Sequence, residues 1–134
     1  MRFMVMVKST PDMEAGAMPS EELLRQMGDF NEEMVKAGVM LAGDGLQASS
    51  KGARVTFSNR KPTVVDGPFT EAKELVAGYW IIQARSKEEA VQWARRVPFV
   101  DGEIEVRQLF ELSDFPAGDA IDLHKDLQQK LSKQ

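Results

Sequence analysis

The chain has 134 residues, 43% hydrophobic and 28% charged, the make-up of one globular domain that buries about two-thirds of its unfolded surface. Its 17 Lys and Arg against 21 Asp and Glu give a net charge of −4 with no basic stripe, so no nucleic acid partner is expected. The lack of cysteine excludes disulfides, zinc–thiolate sites and thiol nucleophiles, and the apolar run Phe3 to Val7 is too short for a signal segment or a membrane span, so a cytoplasmic protein is expected.

Arg2 to Lys8 alternates Phe3, Val5 and Val7 against Met4 and Met6, which predicts a strand apolar on both faces. Helices on one side of an antiparallel sheet leave the other side wet, and a partner subunit is the economical cover. Ser9 to Pro19 holds two prolines and a glycine without periodicity and reads as a loop. Ser20 is placed to cap a helix with Glu21 and Glu22 in its first turn. Leu23, Met27, Phe30 and Met34 form its core stripe, and Gly38 stops it. Val39 to Leu46 reads as the second strand. Gly43-x-Gly45-x-x-Ala48 has the outline of a dinucleotide fingerprint, but no helical pattern follows it. The glycines before Lys51 are also wrongly spaced for a phosphate loop.

Ala53 to Ser58 and Thr63 to Val65 read as a hairpin around Asn59-Arg60-Lys61-Pro62, with Val55 and Phe57 pointing the same way. Asp66-Gly67-Pro68-Phe69-Thr70-Glu71-Ala72-Lys73-Glu74 comes next. Gly67 can take a positive φ, and Pro68 fixes its own φ and lacks an N–H, so the backbone turns sharply after Asp66. Asp66 is expected to accept backbone hydrogen bonds within that turn. Tyr79 to Ala84 is the next strand. Ser86-x-x-Glu89 is a capping box opening a short helix with Ala90, Val91 and Ala94 inward and Trp93 at its edge. Glu103 to Leu112 reads as the last strand, with Ile104, Val106 and Phe110 on one face. Ala120, Leu123, Leu127 and Leu131 then form an amphipathic helix, expected to dock on the domain or across a dimer.

This order predicts an α+β, ferredoxin-like split βαβ fold with an inserted β-hairpin, residues 1–112 forming the domain and 113–134 a tail. The nine residues Asp66 to Glu74 resemble the D-G-P-F-A-E-T-K-E motif of the DGPF family, within the YCII-related group. Thr70 and Ala72 stand here where that family often has Ala and Thr. Phe30-Asn31-Glu32-Glu33, Ala37-Gly38-Val39, Gly43-Asp44-Gly45-Leu46, Gly78-Tyr79-Trp80 and Glu105-Val106-Arg107 extend the resemblance over about residues 1 to 112. It implies a homodimer of the dimeric α+β barrel kind, two ferredoxin-like sheets packed face to face, which agrees with the two-sided first strand. The wider fold includes cofactor-free enzymes acting on small organic molecules. The YCII-like branch resembles an enzyme with a His–Asp pair, and here the chain departs from the pattern: its single histidine, His124, lies in the tail.

Carboxylates, Lys and Tyr therefore remain for chemistry. Glu71 and Glu74 are the candidate catalytic groups, since no helix or strand pattern calls for acids there. Asp66, Gly67, Pro68, Phe69, Lys73 and Tyr79 are candidates for binding a ligand or shaping its site. An acid buried beside Phe69 would be driven toward a general-base pKa, and Lys73 would oppose that shift. Three carboxylates can hold Mg²⁺, but nothing in the spacing demands it, and no cofactor or metal is expected. Three readings stay open. One is a cofactor-free enzyme doing proton transfer, isomerisation or elimination in a cleft roofed by the motif. Another is a non-catalytic metabolite-binding or accessory dimer. The third makes the motif a structural brace, compatible with either.

Overall fold

The structure is a computed structural model describing residues 1–134. The chain runs β1 (Arg2–Lys8), α1 (Pro11–Glu14), α2 (Glu21–Lys36), β2 (Met40–Gly45), β3 (Ala53–Ser58), β4 (Lys61–Asp66), β5 (Val76–Gln83), α3 (Lys87–Ala94), β6 (Ile104–Gln108) and α4 (Asp119–Ser132). Four strands form an antiparallel sheet in the order β2-β5-β1-β6, while β3 and β4 pair only with each other. Because β5 lies between β1 and β2, each strand–helix–strand unit is split, which is the ferredoxin-like α+β arrangement. No helix is long and apolar enough to cross a membrane.

Local chemistry sets the helix ends. The Ser20 hydroxyl accepts the Leu23 N–H at 3.1 Å and starts α2. At the other end Gly38 takes φ +71. Its N–H reaches the Val35 carbonyl and the Val39 N–H reaches that of Met34, a Schellman stop with buried Met34 against buried Val39. The stretch expected as loop contains α1, because Thr10 caps Met13 and Pro11 occupies the first helical position. Ser86 caps Glu89 in α3, while the Glu89 carboxylate reaches Arg85.

α2 and α3 cover one face of the sheet, burying Phe3, Val5, Val7, Trp80 and Ile82 beneath Phe30, Met34 and Ala90. Phe30 meets Trp80 edge-on, with centroids 5.6 Å apart at 84°, and the Trp80 indole N–H donates to Asn31 Oδ1 at 2.8 Å. A Cβ on Gly43 would stand 2.8 Å from Trp80 Cδ1, so β2 passes the indole only as glycine. Phe30-Asn31, Gly43 and Trp80 are thus one corner of the core.

The hairpin is tighter than the sequence pattern implies. Asn59 and Arg60 alone make the turn, both at positive φ, and Pro62 lies within β4 opposite Phe57. The last strand is shorter. β6 ends at Gln108 because β1 begins at Arg2, whose carbonyl accepts the Leu109 N–H. Phe110 therefore leaves the sheet and stacks on Phe115, with centroids 5.0 Å apart. Glu111 returns to Arg2 through a two-pronged ion pair of 2.9 and 3.2 Å, which raises the guanidinium's already high pKa further. α4 does not dock on its own domain. Its main contact is the 3-10 turn Leu112–Asp114, and Leu123, Leu127, Leu131 and His124 are exposed.

Candidate functional site

The sheet's second face carries no helix. Strand register places Met4 beside Ile81 and Arg107, Met6 beside Tyr79 and Glu105, and Tyr79 beside Asp44. The centre is apolar and half-buried by its neighbours alone, and the rim is charged. Glu105 sits between Lys8, at 3.7 Å, and Arg107, at 3.6 Å. On the opposite side the Tyr79 hydroxyl donates to Asp44 at 3.4 Å. Lys8 follows a register shift after Val7, and the Ser9 N–H then donates to the Leu75 carbonyl at 2.8 Å. That bond brings the motif loop to the Lys8 end of this open face.

The loop is braced from elsewhere in the chain. The Gly67 N–H donates to the Gly52 carbonyl at 3.0 Å. Gly67 does not use the positive φ its sequence position invited. Glycine is required there because an added Cβ would lie 1.8 Å from the Ser49 carbonyl oxygen. The Ser49 hydroxyl accepts the Phe69 N–H at 2.9 Å and itself donates to a Glu14 carboxylate oxygen, while the Ser49 N–H donates to the other at 2.9 Å. These two bonds hold the Glu14 carboxyl below its usual pKa, the hydroxyl bond contributing most. Arg54 of β3 lies over the Phe69 ring at 3.8 Å.

The acids of the motif stand apart from this brace. Asp66, Glu71, Lys73 and Glu74 are exposed, and no side-chain hydrogen bond or ion pair engages them. The expectation that Asp66 binds its own turn is therefore corrected: Gly52 takes the Gly67 amide and Ser49 takes that of Phe69. Asp66, Glu71 and Glu74 do not converge into a group that could hold a metal ion. Tyr79 lies on the open face, and Pro68 and Phe69 lie in the braced loop, so the predicted residues divide into a braced turn, an exposed acidic segment and a strand hydroxyl. Sequence reasoning missed Glu14, Ser49 and Arg54. Only Thr10-Pro11, a cap followed by proline, signalled that Glu14 closes a helical turn. A surface groove of about 480 Å³ runs between α3 and β6, lined by Lys87, Val91, Arg95, Ile104 and the rim residue Glu105 among others, and no motif residue lines it.

The arrangement can do two things chemically. It can seat an apolar body on Met4, Met6 and Ile81 with polar groups at Tyr79, Asp44, Lys8 and Arg107. It can also present free carboxylates from a fixed loop beside that seat. Among known proteins, the YCII-related domain matches residues 1–113. An uncharacterized protein of Rhizobium meliloti (strain 1021) is 30% identical over 92 residues, which is 66% of this chain and 74% of the relative.

Proposed function

The chain belongs to the YCII-related domain family, and from that premise we propose that it works as a homodimer holding a small organic molecule against the open sheet face, beside the Asp66–Glu74 loop. The observation that carries this reading is the uncovered apolar row of Met4, Met6 and Ile81 with a braced loop at its end. A soluble chain gains by covering such a row, and a second sheet leaves room for a ligand between the two. Residues 1–112 are the working domain in this reading and 113–134 an appended tail. The cysteine-free composition favours a reducing compartment such as the cytoplasm.

One observation favours a catalytic version over simple binding. Glu71 and Glu74 have no structural partner, although the loop that carries them is tightly held. Covered by a second copy, either carboxylate would lose water and could serve as a general base without a cofactor. The test is native mass spectrometry of the purified protein to identify a retained small molecule, repeated with Glu71→Gln and Glu74→Gln. Both variants should fold with stability changed by no more than about 0.5 kcal/mol, because both side chains are exposed. Retention or turnover of the molecule should fall. If both variants keep the ligand fully, the loop acids are not the site, and the Met-lined face is left to explain the binding.

A further inference from the structure

The β3–β4 hairpin is unfinished in a single chain. Every residue of both strands is exposed, and the hairpin pairs with no other strand. Register sets Val55 opposite Val64 and Phe57 opposite Pro62, so four apolar side chains share one face. Val55 is 51% exposed, Phe57 70% and Val64 64%. Together they leave roughly 350 Å² of contiguous apolar surface, the size of the largest patch on a typical monomer. A lone two-stranded hairpin is marginal in water. Its turn adds a cost, since Arg60 sits at φ +67, worth about 1 kcal/mol in the left-handed region.

The area a stable dimer needs points to what covers this face. Four strands about 4.8 Å apart and about 20 Å long offer roughly 400 Å² per copy, or about 800 Å² in total for sheet against sheet. Specific interfaces start at about 1,200 Å². Adding the hairpin face of each copy lifts the total to about 1,500 Å², the usual size.

We propose that the hairpin is a clasp: its Val55, Phe57, Pro62 and Val64 face closes on a second copy of this chain, and that closure fixes the motif loop. The clasp rests on the homodimer reading above. Its connection to the site is covalent and direct. β4 ends at Asp66, so the strand runs into Gly67 without a spacer, and the hairpin root is bonded from Gly67 N–H to Gly52 carbonyl. Arg54, on the face opposite Val55, stacks on Phe69. One face of the hairpin grips the second copy while the other holds the motif.

The test uses the full chain in sedimentation velocity over a micromolar dilution series, with amide hydrogen exchange followed at residues 67–70. Wild type is compared with Phe57→Ser/Val64→Ser and with Met6→Glu, and exchange of β1 amides checks that each variant is folded. The hairpin variant should associate at least about tenfold more weakly. Protection of the Phe69 amide should rise with protein concentration in wild type and lose that dependence in the variant. The clasp is overturned if the hairpin variant associates as tightly as wild type, if wild type stays monomeric throughout, or if the hairpin instead holds a different protein. Met6→Glu separates the two claims. If it breaks the dimer and the hairpin variant does not, sheet pairing stands and the clasp falls. If only the hairpin variant breaks it, the clasp stands and sheet pairing falls.

Discussion

Replacing Gly67 by alanine tests the brace at its tightest point. The new Cβ would stand 1.8 Å from the Ser49 carbonyl oxygen and 2.6 Å from its carbon. Both are backbone atoms, so no rotamer relieves the clash, and the loop or the Ser49 turn must retreat by about 1.5 Å to reach ordinary contact. That retreat breaks Gly67 N–H to Gly52 and Phe69 N–H to Ser49, at about 1 kcal/mol each, and overpacking adds about another 1 kcal/mol. Alanine also restricts the unfolded chain, which by itself stabilises by about 0.4–1 kcal/mol. The net expectation is a loss of about 2 kcal/mol, seen as a Tm lower by roughly 6 °C. Because the loop can open without the sheet, faster amide exchange at Phe69 is the more direct reading. A Tm equal to or above wild type would mean that only the unfolded-state effect operates, and the contact between Gly67 and Ser49 would not constrain the loop.

Three further outcomes follow from the same geometry. Asp66→Ala should change stability by no more than about 0.5 kcal/mol in urea unfolding, since its carboxylate holds nothing. Glu14 has a folded pKa below its ordinary 4.5, so its contribution is complete above that pH and is lost as pH falls through the lowered value. The Tm of Glu14→Gln should accordingly decline less steeply than wild type below pH 4.5 and run parallel above it, and acid limbs of equal slope would refute the Ser49 bonds. Arg60→Gly keeps Asn59 and removes a left-handed side chain, so β3 and β4 amides should gain protection worth about 1 kcal/mol. Unchanged exchange there would mean that the turn is not strained.

Legibility in the sequence followed the range of the interaction. The alternation of β1, the Ser20 cap and the Gly38 stop depend on neighbours within four residues, and they were readable. Pro62 has the local signature of a turn residue because it lacks an N–H, yet β4 pairs only with β3 and tolerates proline. Phe110 continued the apolar alternation of β6, but the strand ended where its partner did, a limit set by β1. The motif advertised its importance and hid its support. Glu14 and Ser49 lie 35 residues apart, and no local pattern joins either to Phe69. The place of Gly67 before proline suggests backbone freedom, whereas what it supplies is the space for a passing carbonyl.

The pinched root of the hairpin makes it an exchangeable segment. Gly52 and Gly67 hold its two ends together at a 3.0 Å hydrogen bond, and the strands between them share no ladder with the main sheet. Closing a longer connection between fixed ends costs only about 0.6 kcal/mol per doubling of length. Residues 53–66 can therefore be replaced by hairpins of other lengths, or interrupted at Asn59-Arg60 by a reporter peptide, with the four-stranded sheet left intact. Grafts that leave Gly52, Arg54 and Gly67 in place would keep the motif loop held while presenting new side chains at positions 55, 57, 62 and 64. Where the hairpin closes on a second copy, as proposed above, a set of such grafts with matched charges would turn one scaffold into several pairs that assemble only with their own kind.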